Sequence, residues 1–161
     1  NWFHLVETQS VAGAGGGRAI SYKPSGARFQ RLTTLVVTVD AAGTVGRMDL
    51  WLLRSFIDSS GNGPFARDIA KSFLHDAPPQ GDAAALATLA AEVEFRVSAS
   101  ETVIAGPDYR KPELPSEPSA AYQTYSGARP SHRQELGHGR FEMANEQGPD
   151  GDALRLTVAA K

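Results

Sequence analysis

The residues best suited to chemistry in this sequence lie between positions 129 and 140, in the segment RPSHRQELGHGR. Arg129, Arg133 and Arg140 stand there beside a single acidic residue, Glu135. The forked guanidinium group of arginine suits carboxylates, phosphates and sulfates. The segment therefore predicts a surface that binds an anionic ligand or an acidic partner.

The same segment offers a second possibility, a metal site. His132, Glu135 and His138 are side chains of the types that Zn²⁺ accepts. Their spacing is poor, because the two histidines would lie about 120° apart on a helix, and Glu135 would face away from His132 on a strand. Completing a site would need His4 or His75 from a distance. We therefore predict no metal and no other cofactor. The alternative is a hydrolase-like enzyme, with or without a metal, whose site lies around these three residues.

A proline-rich stretch precedes this segment and widens the candidate surface. Prolines at five positions between 107 and 130 break regular elements, so we expect a long loop at 107–130. Long loops in compact domains are often functional, and tyrosine rings there could stack on a sugar or peptide, or fix the loop to the core. The candidate binding residues are Arg129, His132, Arg133, His138, Arg140, Tyr109, Tyr122 and Tyr125.

Motifs of several other chemistries are incomplete or absent. The glycine run 13–17 lacks the Gly-Lys-Ser/Thr of a phosphate loop and is followed by residues typical of a strand. No Gly-x-Ser-x-Gly is present. The acidic turn around Gly151 has Thr157 where a calcium loop needs a bidentate glutamate. No catalytic residue is predicted.

Composition narrows the class of protein. The 161 residues include no cysteine, which excludes disulfides, thiol nucleophiles and cysteine-bound zinc. The net charge of −2 gives no electrostatic reason to expect nucleic acid as a partner. The longest apolar stretches, Leu35–Val39 and Leu50–Leu53, are far shorter than the roughly 20 residues of a membrane span. We expect one globular domain over residues 1–161.

The first residue of the sequence is relevant to the cellular location of the protein. The sequence begins at Asn1 rather than at Met, and removal of a signal peptide or anchor is a common reason for such a start. We therefore expect an exported or membrane-anchored bacterial protein with a periplasmic or other extracytoplasmic address. A cytoplasmic address stays open.

Hydrophobic periodicity predicts the elements that position the candidate residues. Alternation and β-branched residues predict strands at 2–11, 18–22, 32–39, after Thr44, and at 94–99, 139–145 and 152–159. Phe65, Ile69 and Phe73, spaced by four, predict a helix over 62–76 with Asn62 as its cap and Pro64 in its first turn. An alanine-rich helix should follow over 82–93.

These elements predict an α+β fold, in which an antiparallel sheet of roughly five to seven strands carries two consecutive helices on one face. The function predicted with it is a non-enzymatic binding or interaction domain that uses residues 107–140 as its contact surface. Its partner would be a protein, or an anionic or saccharide ligand.

Overall fold

A computed structural model describes residues 4–77, 81–100 and 118–161, with the backbone alone for 94–100. The strands are β1 Leu5–Ala12, β2 Arg18–Pro24, β3 Thr33–Val39, β4 Val45–Leu53, β5 Ser131–Glu135, β6 Gly139–Gly148 and β7 Gly151–Ala160. The helices are α1 Arg54–Ile57, α2 Gly63–Asp76, α3 Ala83–Ser100 and α4 Ala120–Tyr125. A short 3-10 turn, Ala14–Gly16, joins β1 to β2.

All seven strands form one antiparallel sheet in the order β1-β2-β3-β4-β7-β6-β5. The predicted α+β class and the antiparallel sheet are confirmed. The first four strands are sequential neighbours, whereas β7 returns to lie between β4 and β6. This return makes β4 and β7 central strands and leaves β1 and β5 as the two edges.

One face of the sheet is covered by the helices, and its apolar residues form the core. Residues of β4, β6 and β7 that share this face are buried against the apolar sides of α2 and α3. The most enclosed of them are Leu52, Phe141, Met143, Leu154, Leu156 and Val158 on the strands and Leu74, Leu86, Leu89 and Val93 on the helices. Alternate residues of the same strands point to the opposite side, here called the open face.

The strand predicted over 94–99 is wrong, since α3 continues without interruption to Ser100. Two sequence features explain the error. Phe95, Val97 and Ala99 alternate as a strand would, yet Val97 also lies four residues after Val93 and so extends the helical stripe. No glycine or proline stands between Asp82 and Gly106 to end a helix.

The loop predicted over 107–130 is wrong in part, because residues 120–125 form α4. Ser119 caps this helix by accepting a hydrogen bond from the Tyr122 amide at 3.1 Å. Residues 131–135 form β5, a strand that the sequence did not predict. Residues 101–117, with Tyr109 among them, lie outside the described part of the chain.

Asn145 of β6 fixes α4 and the segment after it to the sheet. Its side-chain amide donates to the carbonyl oxygens of Thr124, at 2.8 Å, and of Arg129, at 2.9 Å. Arg54 adds a third link, donating to the Tyr125 carbonyl oxygen at 2.7 Å. The start of β5 is therefore set by polar contacts from the end of β6 and from α1.

Helix α2 begins where the sequence predicts, although its cap differs. Asn62 occupies the N-cap position and Pro64 lies in the first turn. The Asn62 side chain makes no capping hydrogen bond to the helix. It accepts a hydrogen bond from the Arg28 guanidinium at 2.9 Å instead, and so joins α2 to the segment before β3.

Candidate functional site

The open face brings together charged side chains from four strands. The register places residues from β4, β7, β6 and β5 side by side in rows across this face. We call this set the arginine face; it comprises Arg47, Asp49, Trp51, Arg133, Glu135, Arg140, Glu142, Glu146, Arg155 and Thr157.

Arg155 is the centre of the arginine face. Its guanidinium donates to Glu146 at 2.7 Å and to Glu142 at 2.9 Å, and lies 3.5 Å from Asp49. It also donates to the Thr157 hydroxyl, which in turn donates to Asp49. Only 12% of the Arg155 side chain is exposed. Its charge is therefore removed from water and compensated by three carboxylates.

Asp49 connects this centre to Arg47. The Arg47 guanidinium binds both carboxylate oxygens of Asp49, at 2.7 and 2.8 Å, in the forked geometry typical of strong arginine–carboxylate pairs. This contact raises the pKa of Arg47. The hydrogen bonds to Glu146 and Glu142 likewise raise the pKa of Arg155, against the opposing effect of burial. Both guanidinium groups are held in their charged form.

The remaining acid of the arginine face also has a partner. Glu135 pairs with Arg133 at 3.1 Å, and both side chains are more than half exposed. Asp49, Glu142 and Glu146 are paired with Arg47 or Arg155, so every carboxylate on the arginine face has an arginine partner. Three of the four arginines are thereby engaged.

The fourth arginine, Arg140, differs from the others. Within the part of the chain that the structure describes, its guanidinium makes no ion pair, and its Nε is buried without a hydrogen-bond partner. The residue as a whole is half-buried. A buried donor without a partner is uncommon in folded proteins and usually has a structural or functional reason.

The residue next to Arg140 on the neighbouring strand is small. Arg140 lies opposite Ala159 of β7, and Ala159 lies opposite Arg47 of β4. Neighbouring strands are about 4.8 Å apart, which separates the two arginine backbones by about 10 Å. Alanine occupies the strand between the two arginines, and Ala159 is itself buried, with 7% of its surface exposed, so neighbouring side chains cover this position.

Trp51 borders the arginine face at its other end. Its ring lies beneath the Arg155 guanidinium, 5.7 Å from ring centroid to Cζ, within cation–π range. Next to it is a depression lined by Trp51, Thr34, Arg31 and Asp150, which has about 10 Å³ of free space. That is room for one water molecule. The depression does not enclose a drug-sized ligand.

The structure separates the residues that the sequence grouped around β5. Arg133 and Arg140 lie on the open face. Arg129 lies before the start of β5, where its side chain donates to the Ser131 carbonyl oxygen at 2.9 Å. His132 points to the helix-covered face, with its ring 6.3 Å from that of Phe141.

His138 lies beyond the other end of β5 and is held by its backbone. Its amide donates to both carboxylate oxygens of Asp82, at 3.1 and 2.9 Å, and its ring Nδ1 lies 3.4 Å from the same carboxylate. The His138 side chain is 67% exposed and Asp82 is buried. The three residues of the metal alternative, His132, Glu135 and His138, thus point in different directions.

The rest of the described chain gives the same result for metals. Among residues 4–77, 81–100 and 118–161, no three histidine or acidic side chains are grouped so that they could hold a metal ion.

The two described tyrosines of the predicted set belong to α4. Tyr125 is buried in the core, with 5% of its surface exposed, and burial raises its pKa to about 12. Tyr122 is half-buried. Of the two roles that the sequence left open for these rings, the core contact applies to Tyr125.

The sequence contains a signal for the arginine face, although the predicted site residues do not include its centre. Arg47 and Asp49 alternate with Met48 and Leu50 in β4, and Arg155 and Thr157 alternate with Leu154 and Leu156 in β7. Charged residues with a period of two beside apolar ones predict a strand with one polar side. That these two strands are neighbours is evident only from the structure.

Comparisons with protein-family models, with curated proteins and with solved structures find no match for this chain. Among the described residues, none of the helices combines the length and apolar character that crossing a membrane requires.

Proposed function

We propose that this chain is a non-enzymatic binding domain whose contact surface is the arginine face, and that Arg140 receives a carboxylate or phosphate group of an acidic partner. One observation carries the proposal. Every carboxylate on the arginine face already has an arginine partner, and Arg140 is the guanidinium on that face that has none among the described residues.

The energetic argument concerns desolvation. Partial burial of a guanidinium without a counter-ion costs free energy, which an incoming anion recovers. Because Nε is buried, an anion first meets the terminal nitrogens of Arg140. Side-on binding through Nε and one terminal nitrogen requires the side chain to change rotamer, so binding should move the Nε–H resonance of Arg140.

The test is a titration with two defined anions, a hexaglutamate peptide and inorganic phosphate, followed by NMR of arginine Nε–H groups. We expect the Arg140 resonance to shift with both anions, and Arg140→Gln to abolish the saturable change at the neighbouring Ala159 amide. Arg129→Gln is the matched control, since Arg129 is an exposed arginine of the same segment that precedes β5 and donates to the Ser131 carbonyl oxygen. It should bind as the unmodified protein does.

The outcomes separate a specific site from general attraction. Equal weakening by Arg140→Gln and Arg129→Gln would mean that only net charge matters. Unchanged binding in Arg140→Gln would refute the assignment. High salt should weaken binding at Arg140, because the pair forms at the surface.

A further inference from the structure

The outer edge of β1 is the most exposed part of the sheet. All eight residues of β1 are exposed, and half of the surface of each of Leu5, Val6 and Val11 is accessible, at 48%, 50% and 51%. The helices contact β4 to β7, so they leave β1 uncovered on both faces. Across the described residues, β1 pairs with β2 alone.

The two edges of the sheet differ in how well they resist pairing. The other edge strand, β5, has only five residues, contains Arg133 and Glu135, and follows Pro130. Short length, charge, proline and β-bulges are the usual means of protecting an edge. β1 is eight residues long, has Glu7 as its one charged residue, contains no proline and has one bulge, between Glu7 and Gln9. Its unpaired amide and carbonyl groups remain available to another strand.

We propose that β1 pairs antiparallel with β1 of a second copy of this chain, joining two sheets edge to edge about a two-fold axis. The register follows from the strand itself. If the axis passes between Thr8 and Gln9, all eight residues are paired, with Val6 opposite the second copy's Val11 and Glu7 opposite its Ser10. No glutamate lies opposite another glutamate, and the two-fold axis generates the pair of Val6 with Val11 twice.

The bulge in β1 makes this register consistent with the two faces of the sheet. Val6 lies opposite Lys23 and Val11 opposite Ala19, which places both valines on the open face. In a regular strand, residues five positions apart point to opposite faces. The bulge between Glu7 and Gln9 adds one residue to β1, so Val6 and Val11 point to the same face. A register centred on Thr8 would instead oppose residues from different faces.

The interface is small, which sets the expected strength. Eight residues form a seam of about 27 Å, and the bulge at Thr8 interrupts the run of regular hydrogen bonds. Interfaces of this size belong to the weak, reversible class. Self-association should therefore depend on protein concentration between about 10 µM and 1 mM.

Charge exchange at the two valines tests both the surface and the register. Val6→Lys/Val11→Lys places lysine opposite lysine twice and should leave the protein monomeric by sedimentation over the whole concentration range. Val6→Glu/Val11→Lys changes the same two exposed positions but places glutamate opposite lysine twice, so the dimer should form again and weaken with salt. Ser131→Lys on the other edge strand is the matched control and should dimerise as the unmodified protein does.

Each result decides the matter, with folding of every variant checked by circular dichroism. A monomeric unmodified protein at about 1 mM would overturn the proposal. So would a dimer that persists in Val6→Lys/Val11→Lys, since a different surface would then hold it. A monomeric Val6→Glu/Val11→Lys would overturn the two-fold register. The two-fold register would be established if the unmodified protein and Val6→Glu/Val11→Lys form dimers and Val6→Lys/Val11→Lys does not.

Discussion

Tyr125 illustrates how one buried side chain links α4 to the pH dependence of stability. Burial raises its pKa to about 12 in the folded protein, against about 10 in an unfolded chain. Below pH 10 the hydroxyl is protonated in both states and contributes no pH dependence. Between about pH 10 and 12 the unfolded state releases the proton while the folded state keeps it, so unfolding becomes easier as the pH rises through this range.

We predict that Tyr125 lowers the free energy of unfolding by about 1.4 kcal/mol per pH unit between about pH 10 and 12. Tyr125→Phe removes this titration but keeps the ring in the core. The stability difference between the unmodified protein and Tyr125→Phe, measured by urea unfolding, should therefore shift in favour of the phenylalanine variant over this range. A constant difference, or tyrosinate absorbance that develops for Tyr125 near pH 10, would contradict the prediction.

Single residues also show where prediction from sequence fails. The arginines at 133 and 140 could be predicted as surface residues, and the structure places both on the open face. The partners could not be predicted, because Asp49 and Arg155 are 106 positions apart in the chain and meet only through the pairing of β4 with β7. Which arginine is left without a counter-ion depends on that pairing.

At the scale of elements, Asp82 fixes the start of α3 to the turn between β5 and β6. Its carboxylate accepts the His138 amide, and its carbonyl oxygen accepts the Leu86 amide at 3.0 Å. The two segments approach so closely that a Cβ on Gly81, whose φ is +104°, would lie 2.8 Å from the His138 ring. One buried carboxylate thus joins the helical layer to the sheet.

We predict that Asp82→Ala lowers the free energy of unfolding by about 2 kcal/mol, because it leaves the His138 amide without an acceptor in a partly buried turn. Asp82→Asn should cost less, since its side-chain oxygen still accepts. His138→Ala is the control, as it keeps the backbone donor, and urea unfolding should show a change within about 0.5 kcal/mol. A cost for His138→Ala equal to that for Asp82→Ala would show that the ring, not the amide, makes the essential contact.

The elements that could be predicted are those with one consistent period. The strands of the first two hairpins, α2 and the final hairpin carry clear alternation or helical spacing, and the structure has them close to the predicted bounds. The end of α3 fits both periods, so local pattern alone could not decide it. α4 and β5 are too short for a periodic signal and depend on tertiary contacts, such as those of Asn145.

For the whole molecule, the helical layer and the sheet are offset from one another. The helices contact β4, β7, β6 and β5, where the core residues of the strands are concentrated. β1 extends beyond that layer, with both faces in solvent. Stability should therefore fall from the central strands toward β1, while the surfaces proposed for binding lie on the arginine face and along the β1 edge.

Hydrogen exchange of backbone amides should report this gradient directly. At protein concentrations low enough to dissociate the proposed dimer, amides of β7 and β4 should exchange slowest, because both strands are paired on two sides and one face is buried in the core. Amides of β1 should exchange fastest among the strands, since opening β1 exposes almost no apolar surface. The charge variant Val6→Lys/Val11→Lys controls for residual self-association and should give the same gradient. Protection of β1 equal to that of β7 in this monomeric variant would mean that the sheet opens as one cooperative unit rather than from its uncovered edge.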